Sequence, residues 1–588
     1  MTNISDWIAT AICLLAAVII PLSADVVMGG FTKSESTVNW MIIALSVTSA
    51  GILLTQSIRK TGSFIIHSVP ASVSISAVIL ILIILYSIHK HPGALADIHR
   101  HWLIMSLLCY MSFRTLFSQW ESRLLTFITI SLCICVIWQS VLLFMQLAGT
   151  ADGQASTMCA GSFTNPGLLG GFLAISITLT APYITKTDSP KWIRTICITS
   201  TISGLVSLVF TNSRASMLAI AVFSFIWLIH NGKHKVALCL TVIYIAAGTL
   251  LYFEKKDSAD IRFYMDRNTI EIIKGNKWHG TGPGSFPGTY ANFQFSKFSS
   301  GKFSEEDRLG ANIPSSCCNE LLETGVEYGP ATMLLTAMLM GWVFFHGKGR
   351  YNFWYPLLAW SVISLFSYPM ASFCLRYLGI MTLAGTVSTI SGRNQHENKG
   401  KKNKSHLWIM SFMLVIGASI MLGRQNWVKK RVTATHEYWT GQMWYKQGNY
   451  RSVVRNWEPI SEYLAHSHEF LYQYGIALSE IGLYEKSDSV LRLHNSISAD
   501  PAAYLVMGDG AMERHDFEKA QEYYTHSFRI VPNRILPLAR LAELHRIQND
   551  SARYKQMVDS VVHFKPKIDN QMIQIIKNEV KETYEKWL

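Results

Sequence analysis

The sequence predicts an all-α protein: a polytopic membrane helix bundle followed by a helical repeat array. Three observations predict it. Of 588 residues, 49% are apolar and only 15% are charged, too apolar for a soluble chain of this length. Apolar runs long enough to cross a bilayer recur from residue 7 to residue 422. Beyond residue 423 those runs stop, and a short motif returns every 33 or 34 residues.

The spans fall near 7–24, 39–57, 71–88, 101–117, 124–147, 167–185, 195–211, 215–230, 236–253, 328–346, 353–369, 371–390 and 407–422, about 12–13 transmembrane helices. The first run has no small-residue cleavage site and reads as a helix that stays. Place the N-terminus in the cytoplasm and let the spans alternate. Arg59 and Lys60, Arg114 and Arg123, Lys186, Lys191 and Arg194, Lys233 and Lys235, and Lys348 and Arg350 then share one side with the loop GRNQHENKGKKNKSH, Gly392 to His406. This is the positive-inside pattern, with Lys90 and Arg100 a mild exception. The net charge of +13 is therefore read as topology-setting Lys and Arg rather than as a nucleic-acid footprint. The same alternation sends outward the largest break in the membrane part, the loop at about 254–327. The expected division is a membrane domain at 1–422 and an extracytoplasmic domain at 423–588.

The second domain repeats. QGNY (Gln447 to Tyr450), IGLY (Ile481 to Tyr484) and RHDF (Arg514 to Phe517) recur in register with Pro501, Pro532 and Pro566. Gly475 and Gly508 hold equivalent places in the first helix of each unit. The period and the small residue resemble tetratricopeptide repeats, an α-solenoid that leaves a concave face for a protein partner. A helical spacer without a ligand is the plainer reading. Acidic and basic residues roughly balance here, which argues against nucleic acid. The ten cysteines fall mostly in apolar runs and show no metal spacing.

The chemistry-bearing residues cluster at the outer ends of spans. Arg214, in TNSRAS, sits at a tight link between two apolar helices. Its planar fork suits phosphate or carboxylate, and snorkelling to headgroups is the bland alternative. Arg262 opens a helical segment that ends in WHGTGPGSF. As a phosphate loop that stretch is weak, with no preceding strand and no Lys-Ser/Thr after it, so a turn is expected. His279 within it is a candidate base or ligand. In SSCCNELLETGVEYG, Ser315 to Gly329, a helix would put Glu320, Glu323 and Glu327 on one side. Those carboxylates, with Asn319, either act on substrate or pair with Arg214 or Arg262 for structure alone.

Four stretches together resemble a known family. SFTNPGLLGGFLAISITLTAPY (Ser162 to Tyr183) is similar to an Asn-Pro helix start, and TNSRASMLAI (Thr211 to Ile220) to an outward Ser-Arg turn. IRFYMDRNTIEIIKGNKWHGTGPGSF is similar to an Arg-helix-Gly-x-Gly segment, and CNELLETGVEYG to a His-Asn-Glu…Glu-x-Gly helix. The set resembles the O-antigen ligase family, which includes Wzy-type polymerases and bacterial protein O-oligosaccharyltransferases. KKDSAD, Tyr290, Gln294 and the appended repeats look most like the version in Bacteroidetes-type bacteria.

The resemblance implies a GT-C-like fold in the bacterial inner membrane, with the repeats in the periplasm. It implies a metal-independent, cofactor-free, inverting transfer of a glycan from undecaprenyl pyrophosphate to a lipid, glycan or protein acceptor. Carried over, Arg214 and Arg262 bind the pyrophosphate. Many members have His before the Asn-Glu pair. This chain has Cys318, whose thiol, with an ordinary pKa of ~8.5, is a poor substitute for imidazole. Glu320 is the better candidate for orienting or deprotonating the acceptor, then Glu327. Leaving-group stabilisation without a strong base is the alternative. Tyr290 is a further possible site residue. The repeats favour a protein acceptor or partner. A transporter or a membrane scaffold stays open as a different class, although the unexplained charges gather at the outer interface rather than the midplane.

Overall fold

A computed structural model describes residues 32–58, 70–149, 159–185, 190–254, 256–347, 351–393 and 405–587. The span expected near 7–24, the pairs Arg59–Lys60 and Lys348–Arg350, Lys186, and most of the basic loop at 392–406 lie outside the described residues. Among the described residues every regular element is helical.

The bundle opens with α1 (Thr32–Ile58), α2 (Ala71–Lys90), α3 (Ala94–Leu147), α4 (Pro166–Thr185), α5 (Lys191–Thr211), α6 (Arg214–His230) and α7 (His234–Glu254). The outer segment follows as α8 (Lys256–Gly275), α9 (Phe286–Ser299), α10 (Glu305–Gly310) and α11 (Glu320–Glu327). The bundle then resumes with α12 (Pro330–Gly347), α13 (Tyr351–Phe366), α14 (Phe373–Arg393) and α15 (Ser405–Gly423). Among the described residues, 8 segments are long and apolar enough to cross a membrane, and Arg214–His230 and His234–Ala246 are shorter apolar helices. The chain is a multi-pass membrane protein. Phe345, Met338 and Phe412 on its outside are 79%, 70% and 67% exposed, a surface suited to hydrocarbon rather than water. Inside, α4 is buried along most of its length, with Phe172, Leu173 and Leu179 in one core with Leu132, Leu375 and Leu414.

One expectation changes. The spans placed at 101–117 and 124–147 belong to a single helical run of 54 residues, α3. Straight, it would be ~80 Å long, more than twice a bilayer core. Its contacts show that it folds back instead. Trp102 packs on Phe373 at one end of α14, and Phe117 on Phe353 at the start of α13, whose other end carries the outer site. Gln146 then bonds Gly161 at 2.6 Å, beside the outer start of α4. The reversal falls near 118–123, a stretch with no Gly or Pro to interrupt helical hydrogen bonding.

Past α15 the chain forms α16 (Gln425–Lys446), α17 (Tyr450–Trp457), α18 (His468–Glu480), α19 (Tyr484–Ile497), α20 (Pro501–Glu513), α21 (Phe517–Ile530), α22 (Leu536–Ile547), α23 (Ser551–Val562) and α24 (Gln571–Trp587). These stack as hairpins, each helix packed on the next. The repeated glycines have one job. A Cβ on Gly441, Gly475 or Gly508 would lie 2.2 Å from Trp457, 2.4 Å from Leu491 or 2.3 Å from Tyr524, the large residue of the partner helix. Each hairpin closes around that contact.

The turns at the edge of this stack grip the outer segment. Phe295 stacks on His526 with ring centroids 4.0 Å apart, and Ala291, Phe298 and Ala311 share a cluster with Ala499, Ile530 and Val531. The Asn533 side chain donates to the carbonyls of Arg308, Leu309 and Ala311 at 3.1, 3.3 and 2.9 Å. Arg308 donates to the Lys565 carbonyl at 2.7 Å.

The Asn533 clamp makes a prediction. Asn533→Ala removes a donor shared by three carbonyls and should cost about 1–3 kcal/mol locally. Hydrogen exchange in 305–313 should speed up while that in α4 and α14 stays unchanged. Unchanged exchange in 305–313 would mean the clamp does not hold the segment.

Candidate active site

The site forms where the outer segment meets the end of the bundle. The Asn319 side-chain oxygen accepts from the backbone N–H of Leu321 and Leu322, each at 3.1 Å, and so caps α11. Cys318 before it turns the chain in the left-handed region, at φ 55°. At the other end Gly329 closes α11 and Pro330 opens α12, a common pairing of stop and start. The two-turn helix is thus pinned at both ends. Glu320 and Glu323 lie in its first turn and Glu327 in its last.

Glu327 is where the Gly-rich turn docks. Its carbonyl accepts from the Gly282 N–H at 2.9 Å and from the Ser87 hydroxyl at 3.3 Å. Its carboxyl accepts from the Phe286 N–H at 3.4 Å and from the Gly284 backbone. Gly280 sits at φ 73° and Gly329 at φ 95°. A Cβ on Gly280 would fall 2.3 Å from the Glu327 carbonyl, and one on Gly329 would fall 1.9 Å from the Trp278 carbonyl. WHGTGPGSF is therefore a turn that packs on its own chain, as expected.

The other two carboxylates point elsewhere. Glu320 accepts from the Met370 N–H at 2.7 Å, and Glu323 accepts from the Cys317 N–H at 2.9 Å. Both are partly exposed, whereas Glu327 is buried. Burial, then repulsion from Glu323, pushes the Glu320 carboxyl up to about 8. Burial raises Glu323 as well, and burial with the charge of Glu323 raises Glu327. Three acids on one short helix therefore share a strong preference for the neutral form.

Arginines approach the N-terminal end of α11: the charge of Arg376 reaches Glu320, and that of Arg262 reaches Cys318. Arg214 begins α6, and Arg262 on α8 donates to the Phe366 carbonyl at 3.3 Å. The two guanidinium groups are near enough to repel one another. The charge of Arg262 also reaches Asp266, Cys318 and Tyr368. Burial raises the Cys318 thiol, so at neutral pH it is a thiol and not a thiolate. Cys317 and Cys318 are both free, without the vicinal bridge that strain disfavours.

Two candidates are packed into the protein behind this mouth. Tyr290 is fully buried, and its hydroxyl accepts from Asn268 at 3.0 Å inside the outer segment. His279 is buried in the turn among Tyr86, His91 and Trp278. The structure gives both a packing role.

Arg376 escaped the sequence reading. It is buried on α14, stacks 4.2 Å above the Trp102 ring and donates through Nε to the Met370 carbonyl at 2.9 Å. Met370 thus holds Glu320 by its N–H and Arg376 by its C=O. The signal was available: an arginine in an apolar run invites the question asked of Arg214.

Residues 199–337 match the sequence model of the O-antigen ligase family. The chain carries an O-antigen ligase domain. The match takes in Arg214, Arg262, the Gly-rich turn and all of α11. It ends before Met370 and Arg376. Among curated proteins, none matches the chain. That domain supports a glycan-transferring membrane protein.

The raised carboxyls of α11 set a pH dependence. A carboxyl held above its unfolded value stabilises the fold while protonated. For Glu320 that contribution is full below about 4.5 and is lost as pH rises through about 8. The melting temperature in detergent should fall across that window, and Glu320→Gln should flatten the fall. A flat wild-type profile would refute the assignment.

Proposed function

We propose that this protein transfers a glycan from a polyprenyl-pyrophosphate carrier to an acceptor hydroxyl at the periplasmic face of the inner membrane. The approach of Arg214 to Arg262, from two helices, with the charge of Arg262 reaching Cys318 just before the Glu320 helix, supports this reading. Two like charges brought together at the end of an apolar bundle suit a diphosphate whose lipid tail lies in the bilayer.

In this mechanism the diphosphate rests against both guanidinium groups. The acceptor oxygen attacks the sugar's anomeric carbon from the face opposite the phosphate, forming the new C–O bond. The old bond from that carbon to the phosphate oxygen breaks, its electron pair leaves on the diphosphate, and the configuration inverts. The arginines stabilise the charge that grows on the leaving oxygen. The hydroxyl proton passes to the Glu320 carboxylate. A carboxyl pushed up to about 8 is matched to accept it as the hydroxyl becomes acidic in the transition state. Cys318, a neutral thiol, leaves that role to Glu320. Arg376 acts through Met370 to hold the carboxylate in place. The repeat hairpins, tetratricopeptide-like in spacing, buttress the outer segment from the far side.

The test uses a deletion strain complemented with wild type, Arg214→Ala or Arg262→Ala, scored for its lipopolysaccharide ladder and its periplasmic glycoproteins. Each substitution should lower transfer by about 10²–10³-fold at unchanged protein level. Loss of protein glycans alone marks a protein acceptor. A ladder reduced to bare core marks a lipid acceptor, and one shortened to single units marks a polymerase. Full transfer by the double variant would sink the enzyme reading in favour of a scaffold or transporter. In purified protein, the rate should rise with pH toward about 8, and Glu320→Gln should abolish that limb.

A further inference from the structure

The link from α13 to α14, Ser367 to Ser372, has entered so far only through Met370. It borders both halves of the mouth. Where the link begins, the Phe366 carbonyl accepts from Arg262 at 3.3 Å. Further along, the Met370 N–H donates to Glu320 at 2.7 Å. Tyr368 lies midway in the chain between the residue that meets the cation and the residue that meets the acid.

The backbone around Tyr368 is well held. Its carbonyl accepts from the Ala371 N–H at 3.2 Å, closing a short helical turn, Pro369–Ala371. Pro369 is buried and fixes its own φ. Arg376 donates to the Met370 carbonyl through Nε and to the Ser372 carbonyl through its backbone N–H, both at 2.9 Å. The Tyr368 ring packs against the main core of the bundle, yet the residue stays partly exposed between Phe366 and Met370, which are 49% and 37% exposed. The charges that reach its hydroxyl are those of Cys318 and Arg262. Tyrosine suits such a place, with its ring in the core and its polar tip at the edge. Burial raises the hydroxyl, so at neutral pH it keeps a proton to donate. A neutral donor adds no charge beside the arginines and can point at one oxygen.

We propose that the Tyr368 hydroxyl donates a hydrogen bond to the diphosphate beside Arg262, at the oxygen that gains charge as the sugar leaves. This rests on the proposed function and adds a catalytic residue to it. The proton stays on the phenol, so the bonds made and broken are those already given. A donor aimed at growing charge stabilises the transition state more than the bound donor substrate.

The experiment compares wild type, Tyr368→Phe and Tyr368→Ala. Membranes of the complemented deletion strain supply the cell's own donor and acceptor. Tyr368→Phe keeps the ring and removes one oxygen, and its transfer rate should fall at least about tenfold at unchanged protein level. The pH limb assigned to Glu320 should keep its position, whereas a residue acting on Glu320 through Met370 would move it. In detergent, the full chain is titrated with geranyl diphosphate, which resembles the departed group. Tyr368→Phe should bind it at least about fivefold more weakly, with the melting temperature of the free protein unchanged. A wild-type rate in Tyr368→Phe overturns the proposal, even where Tyr368→Ala is inactive, since the ring alone would then matter. A displaced pH limb overturns it too. Arg214→Ala and Arg262→Ala separate the two readings. If they fail in transfer and binding while Tyr368→Phe does not, this inference alone falls. If they behave as wild type, the donor reading falls and this inference with it.

Discussion

The close approach of Gly280 and Gly329 is the contact on which the site depends. The Gly-rich turn carries the end of α8, and with it the register of Arg262. The α11–α12 junction carries the carboxylates and the start of a membrane helix. Hydrogen bonds from Thr281 and Gly282 to the carbonyls of Val326 and Glu327, at 3.0 and 2.9 Å, weld the two. Ser87 adds α2 to the same carbonyl. Cation and acid thus hold fixed positions although some sixty residues of non-membrane chain separate Arg262 from Glu320 in sequence. A single methyl group at either glycine would part the two backbones, because both sit where L side chains are strained and the opposing atoms are backbone.

A connection as long as 254–327 has little reason to stay ordered unless both its faces are covered. Here the bundle covers one and the hairpin stack covers the other. The stack grips α9 and α10 by its turns, where Asn533, Lys565 and the carbonyl of Ile530 reach across. Inside the segment, Asp307 receives Arg267 and Lys297 at 2.7 Å each and caps α10 with Ser304. The repeats therefore have work within their own chain, independent of any partner on their other faces.

Much of this was legible in sequence because period and length carry it. Twenty-residue apolar runs can satisfy their backbones in a membrane only as helices, so the bundle followed from composition. The 33-residue spacing of Gly475 and Gly508 pointed to helix pairs because each glycine must admit one large side chain. The reversal within α3 was legible as the boundary between the spans at 101–117 and 124–147, although no Gly or Pro marks it. Arg214, Arg262 and the Glu320 helix stood out as charges misplaced in apolar surroundings. What sequence lacked was pairing at a distance. Nothing in the spacing of Met370 and Arg376 says that one residue will bond Glu320 by its N–H and a guanidinium by its C=O. Nor does spacing distinguish Asn319 as a reactive group from Asn319 as a cap, a difference made by two backbone N–H groups.

On the proposed reading the raised carboxyls keep the acids and the arginines from cancelling one another. Ordinary carboxylates beside Arg214 and Arg262 would form ion pairs and leave little net charge for a phosphate. Glu320 and Glu323, shifted toward their neutral forms by burial, do not compete for those guanidinium groups. On the proposed reading the cationic pole stays available to the donor, and the acids do not repel the diphosphate. The bound diphosphate would favour the protonated glutamate further, by its own negative charge. Glu320 must then lose its proton to become a base, and the Met370 N–H and Arg376 are the groups that favour this. On the proposed reading the same residue, Met370, that positions the carboxylate also links it to Arg376, whose charge helps to tune it.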